Sequence, residues 1–217
     1  MGVRRVDAEF VAFADDDSWW APGALTAAAE ILAAHPDIAV VNARILVGPE
    51  HRLDGACEVM ARSPLPRPVG ARWPSLLGFV ACGAMVRRAP FLAVGGFDDV
   101  VRFPGEEERV ALDLVARGWR IVYAENVVVH HHPSPRRHSP DSRVAAIHRA
   151  SVLTALLRLS WPRVWKRMQA ATRSGPAGRR GVLHALRDGP AALRRRRVTP
   201  EPVQVIMDQL TASTNRT

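Results

Sequence analysis

Apolar and polar positions follow two periods along the chain. Residues 8–14, AEFVAFA, form an apolar run that stops at three aspartates, which predicts a buried strand with a polar end. PGALTAAAEILAAH, from Pro22, repeats apolar residues at helical spacing until His35-Pro36-Asp37 stops it, with proline suited to the first turn. IAVVNARI (38–45) predicts the next strand. Residues 48–75 carry glycine and many prolines with little periodicity, so they read as a long loop, a segment type that often binds or covers ligands. GFVACGAMVRR (78–88) predicts another buried strand, and APFLAVGGF a short helix closed by a glycine pair. GEEERVALDLVARG (105–118) has acids in its first helical turn and Arg117-Gly118 at its end, as helix termini prefer. WRIVYAENVVVHHH predicts two short β runs. SPDSRVAAIHRASVLTALLRLSW (139–161) then opens with a serine cap and proline and continues as an amphipathic helix. Short arginine-rich helices, broken at RSGPAG and at DGP, complete the pattern.

Composition sharpens the division. A chain of 217 residues, 47% apolar, is long enough for one α/β domain with an appendage. The net charge of +9 is unevenly distributed. Residues 1–135 hold 13 arginines against 17 acids, whereas residues 136–197 hold 16 basic residues against 2 aspartates. The expected units are therefore 1–135, an α/β domain, and 136–217, a basic α-helical appendage. Cys57 and Cys82 suit buried free thiols better than a disulfide framework. No apolar run follows the basic start, and the longest one, LLGFVACGAMV (76–86), is about half a membrane span. The expected location is cytoplasmic, with peripheral contact at the inner face of the membrane left open.

Three clusters could carry chemistry. At a strand end, alternate residues share a face, so Asp15 and Asp17 can line one oxygen-rich site for a hard divalent ion that also binds substrate phosphates. The competing reading is a turn or a helix N-terminus that tolerates acids, with Asp16 part of it. Glu106, Glu107 and Glu108 exceed what helix capping needs, and one could act as a general base. Alternation aims His130 and His132 at one face and His131 at the other, with His138 following, and a histidine cluster at a strand end is a candidate metal site.

Taken in order, FADDDSWWAPGAL, CGAMVRRAPFLAVGGFDD and GEEERVALDLVARGWRIVYAENVVVHHH resemble the family 2 glycosyltransferases of GT-A fold over about residues 5–135. The resemblance implies a partial GT-A mixed sheet flanked by helices. It implies that Asp15, Asp16 and Asp17 meet the donor diphosphate, and that a divalent metal, Mn²⁺ or Mg²⁺, lies on Asp15, Asp17 and His130. Glu107, with Glu106 beside it, would be the catalytic base, and Gly95, Gly96 and Phe97 part of the acceptor-side wall. The implied reaction is inverting transfer of a sugar from a nucleotide-diphospho-sugar to an acceptor hydroxyl.

The family's first, nucleotide-binding half is not found ahead of residue 8, which leaves strand 8–14 with an unpaired edge as an expectation. A start codon placed too late, a gene remnant and a partner chain are the three explanations weighed, and inactivity of the chain alone is one outcome. The rival to an enzyme is a non-catalytic remnant or basic binding module. Trp161 and Trp165 among arginines favour anionic lipid over nucleic acid, which is not expected as a partner. Asn215 in NRT is discounted as a glycosylation acceptor, since no secretory signal is read.

Overall fold

The computed structural model describes residues 2–134 and 139–214, with side chains as far as residue 211. His138 and Asn215 lie outside the described residues. A six-stranded mixed sheet has the order β1 (Phe10–Ala12), β5 (Ala84–Arg87), β3 (Ile38–Val47), β6 (Arg120–His131), β2 (Ser18–Trp20), with β4 (Arg52–Leu53) paired to β3. Only β3 and β6 run parallel. β1 takes the edge position expected of it: it pairs with β5, and among the described residues no strand covers its other side.

Helix α1 (Ala24–Ala34) covers one face of the sheet through Ala28, Ile31 and Leu32, packed on Ile38, Val41 and Val122. The opposite face carries α2 (Gly55–Ala61), α3 (Arg88–Ala93) and α4 (Glu106–Val115). α4 is used twice: Val110, Ala111 and Leu114 face the sheet, while Leu112 faces a second core built by the C-terminal helices. Those helices are α5 (Pro140–Arg158), α6 (Trp161–Arg173), α7 (Pro176–Arg194) and α8 (Glu201–Thr214). Leu65, Leu77, Val100 and Val101 join the same core, so the basic helices share an apolar interior with the α/β part.

Several local expectations change. Residues 48–75 are not one loop: a hairpin through Gly48 and His51, both at positive φ, leads to β4, and Asp54 then caps α2 by accepting from the Ala56 amide at 2.8 Å. The two β runs of 119–132 are one strand, because Glu125, Asn126 and Val127 bulge between the Ala43–Ala124 and Arg44–Val128 pairings. Residues 81–83 form a 3₁₀ turn, so the strand expected at 78–88 shortens to β5. α7 runs through Asp188-Gly189-Pro190 without a break. Pro190 lies on the exposed face, where water can satisfy the carbonyl it frees, and Gly189 is buried beside Leu156.

Candidate active site

The aspartate triplet is a turn as well as a charge cluster. The Ser18 amide donates to the Asp15 carbonyl at 3.1 Å, and the Asp15 amide donates to Ser18 Oγ at 2.7 Å. This closes a reverse turn between β1 and β2, with Asp16 exposed on it. Partial burial, then the Asp17 charge, raises the pKa of Asp15, and only His131 opposes the shift. Asp17 Oδ1 lies 3.3 Å from His131 Nε2, and the His132 amide donates to the Asp17 carbonyl at 2.8 Å.

The strand-end histidines divide as alternation predicts, with a consequence for the choice among them. His131 is the one beside Asp17. His130, the position taken from the resemblance, instead stacks on Trp19 at 5.4 Å and lies 4.9 Å from His51, while the His132 ring is tilted against Trp19 at 4.7 Å. The ring partners of His130 follow from the β2–β6 register, which sets Trp19 opposite His130 and Ser18 opposite His131.

The three glutamates at the start of α4 have three different surroundings. Gly105, at φ 106°, turns the chain into the helix, and its Cα sits so close to Ala150 that a Cβ would stand 3.0 Å from the alanine's own Cβ. Glu108 is held by Arg167 of α6 at 2.6 Å and serves the helix packing. Glu106 is raised in pKa, first by burial and then by Asp15, and its Oε2 is buried without a hydrogen-bond partner among the described residues. Glu107 is the most perturbed: burial, and next the Glu106 charge, pushes it up to about 7. The Ala81 amide donates to its Oε1 over a long 3.4 Å. It is therefore a carboxylate whose proton is held near neutral pH, the property a general base needs.

Cys82, in the 3₁₀ turn beside Ala81, links the clusters. Its thiol is pushed up to about 12 by burial and by the fields of Asp15, Asp54, Asp17 and Glu107. The charges of Asp15, Asp17 and Glu107 are thus felt at one buried turn, and that of Asp15 at Glu106, although about ninety residues separate the aspartates from the glutamates in sequence. Asn42, fully buried on β3, fixes that turn by accepting from the Val80 amide at 2.7 Å. Neither Cys82 nor Asn42 had a sequence signal beyond an apolar neighbourhood.

Gly95 and Gly96, at φ 90° and 62°, make the turn after α3. The buried guanidinium of Arg109 binds the Val94 carbonyl at 2.8 Å and the Gly96 carbonyl as well. Phe97 packs 5.3 Å from both Phe13 and Phe91, which ties the glycine turn to the segment that ends in Asp15. Among the described residues, no group of three His, Cys, Asp or Glu side chains is arranged to hold a metal by itself.

Residues 1–95 match the model of glycosyl transferase family 2. The match takes in the aspartates and stops at Gly95, short of the glutamates and histidines. The fold is that of GT-A glycosyltransferases. The mannosyltransferase PcManGT from Pyrobaculum calidifontis, solved with GDP-Man and Mn²⁺, aligns with 97% of this chain and 52% of its own, at TM-score 0.51 and 19% identity. GalNAc-T7, solved with UDP, GalNAc and Mn²⁺, aligns with 86% of this chain and 39% of its own, at TM-score 0.55 and 10% identity. S. aureus TarS 1–349, solved with UDP-GlcNAc, aligns with 94% and 61%, at TM-score 0.52 and 14% identity. The chain thus spans between about two fifths and three fifths of these neighbours' lengths. No curated protein matches it significantly in sequence. The family match over residues 1–95 and the fold both point to a likeness to glycosyltransferases. Among the described residues, no helix is long and apolar enough to cross a membrane.

Proposed function

We propose that the chain carries the acceptor-activating and diphosphate-facing part of an inverting glycosyltransferase. The substrate would be a nucleotide-diphospho-sugar, and the product a glycoside on an acceptor hydroxyl. The observation that supports this most is Glu107, a buried carboxylate raised to about 7 on the same turn that the strand-end aspartates approach. In that role Glu107 accepts the hydroxyl proton while the acceptor oxygen attacks the anomeric carbon from the side opposite the diphosphate. Glu106 keeps the proton affinity of Glu107 high, and the Ala81 amide orients its carboxylate. Glu108 takes no part, since Arg167 holds it.

The donor set on the aspartate turn fits a divalent cation completed by substrate. Among the described residues, the two carboxylates meet no arginine or lysine, and Mg²⁺ and Mn²⁺ are commonly bound by one or two carboxylates plus phosphates. Asp15 and Asp17 would hold it, with His131 rather than His130 as the nearest nitrogen donor. When bound, such an ion supplies charge stabilisation to the departing diphosphate. Two of the similar structures hold Mn²⁺, and all three hold a nucleotide or nucleotide sugar. Donor turnover should be assayed over a panel of UDP-, GDP- and dTDP-sugars, with and without Mn²⁺, for the parent and Glu107→Gln. Turnover by the parent that falls about 10²- to 10⁴-fold in the variant supports the role. Equal turnover in the two would remove Glu107 from the chemistry.

A further inference from the structure

Helix α7 is built inside out. Apart from Val182, the residues it turns inward are small: Gly178, Gly181, Ala185, Gly189 and Ala192 are buried, and a Cβ on Gly181 would stand 2.5 Å from the Ala145 carbonyl of α5. Its leucines face outward. Leu183 is 66% exposed, Leu186 50% and Leu193 45%, and Pro190 is exposed between them. Positions 183, 186, 190 and 193 step by three, four and three residues, so they form one continuous stripe down the outer face. Arg180, Arg187 and Arg194 border that stripe, exposed and without an acidic partner among the described residues. The helix's one acid, Asp188, is taken up by Arg149 of α5 at 2.5 Å. Just beyond α7, Arg196 lies 4.3 Å over the ring of Trp161, itself 58% exposed, so an indole stands near the C-terminal end of the stripe.

We infer that the outer face of α7 is a docking surface for an anionic lipid bilayer. The leucines enter the boundary between headgroups and acyl chains, and the flanking arginines meet lipid phosphates. Charge and apolarity together select this occupant. A second copy would set arginine against arginine across the same seam, which disfavours self-association. A nucleic acid would use the arginines and leave the leucine stripe in water. The surface is independent of the donor-site reading, because none of its residues belongs to the acidic turn.

Flotation of the full 217-residue chain tests it, with vesicles of phosphatidylcholine alone and of phosphatidylcholine mixed with phosphatidylglycerol. The expected result is binding to the mixed vesicles only. Leu183→Ser/Leu186→Ser/Leu193→Ser should weaken that binding more than about tenfold, and Arg180→Gln/Arg187→Gln/Arg194→Gln by a similar factor. All six positions are exposed, so both variants should keep the parent melt; should the leucine variant not fold, the arginine variant decides. Absence of parental binding, or binding unmoved by the leucine changes, overturns the inference. So does displacement from vesicles by a duplex oligonucleotide whose own binding ignores the leucines. A concentration-dependent dimer that the leucine variant lacks would assign the stripe to a second copy instead.

Discussion

The acidic turn and the helical C-terminal part treat charge in opposite ways. Asp15 and Asp17 lie together beside His131, Glu106 and Glu107 are adjacent at the start of α4, and burial raises the proton affinity of Asp15, Glu106 and Glu107. In the helices, buried charge is neutralised. Arg109 of α4, 2% exposed, meets Asp113 at 2.8 Å, and the same carboxylate is gripped on its other side by Arg158 of α5. Arg163 of α6 likewise meets Glu201 and Asp208 of α8, both at 2.8 Å. Crowded like charges cost stability and persist where a ligand or proton completes them, whereas paired charges fix how elements pack. The first region reads as chemistry and the second as architecture. The arginines of α7, by contrast, are exposed and have no acidic partner among the described residues.

The contrast can be broken most severely at its two centres. Glu107→Gln should abolish most of the proposed transfer activity while leaving the fold intact. Asp113→Asn should do the reverse: it leaves two guanidinium groups without their carboxylate and should cost about 3–5 kcal/mol of stability. For a chain of this size that is a fall of roughly 10 °C or more in Tm, readable by calorimetry.

A smaller effect distinguishes the regions by pH. Glu107 titrates near 4.5 when unfolded and near 7 when folded, so the folded state holds the extra proton between those values. The stabilisation is complete below 4.5 and lost as pH rises through 7, a change on the order of 3 kcal/mol. Glu107→Gln, which cannot ionise, should therefore flatten the pH dependence and melt above the parent at pH 8. Equal melts of parent and variant at high pH would mean the site is more solvated than its geometry indicates. The smallest effect is expected at Arg195, whose pairs with Asp98 and Asp99 sit at the surface. Arg195→Ala should leave the melt unchanged, since exposed ion pairs contribute little.

How much of this could be read from residues alone depended on range. The aspartate turn was legible because its partners are local: Ser18 is three residues from Asp15. β1, α1, β3, β5, α3, α4 and β6 followed from periodicity, whereas β2, β4 and α2 did not, and the candidate base came from the family resemblance. The distinction between His130 and His131 was not legible, because it rests on the register of β2 against β6. Nor was the role of Glu108, fixed by Arg167 fifty-nine residues later, or the Arg109–Asp113–Arg158 triad. The DGP segment looked like a helix end because propensity is local, while the packing of Gly189 on α5 is not. The arginine count signalled a basic part; which arginines stay unpaired was decided by the fold.

The central claim is that the acidic turn is incomplete until a cation and a diphosphate occupy it. Thermal unfolding of the chain alone, with Mn²⁺, and with Mn²⁺ plus UDP, GDP or dTDP tests this directly, with Asp15→Asn/Asp17→Asn as the control. The predicted result is a Tm that rises with metal and nucleotide together in the parent and stays fixed in the variant. A parent that melts at one temperature under every condition, or a variant that gains as much as the parent, would contradict it.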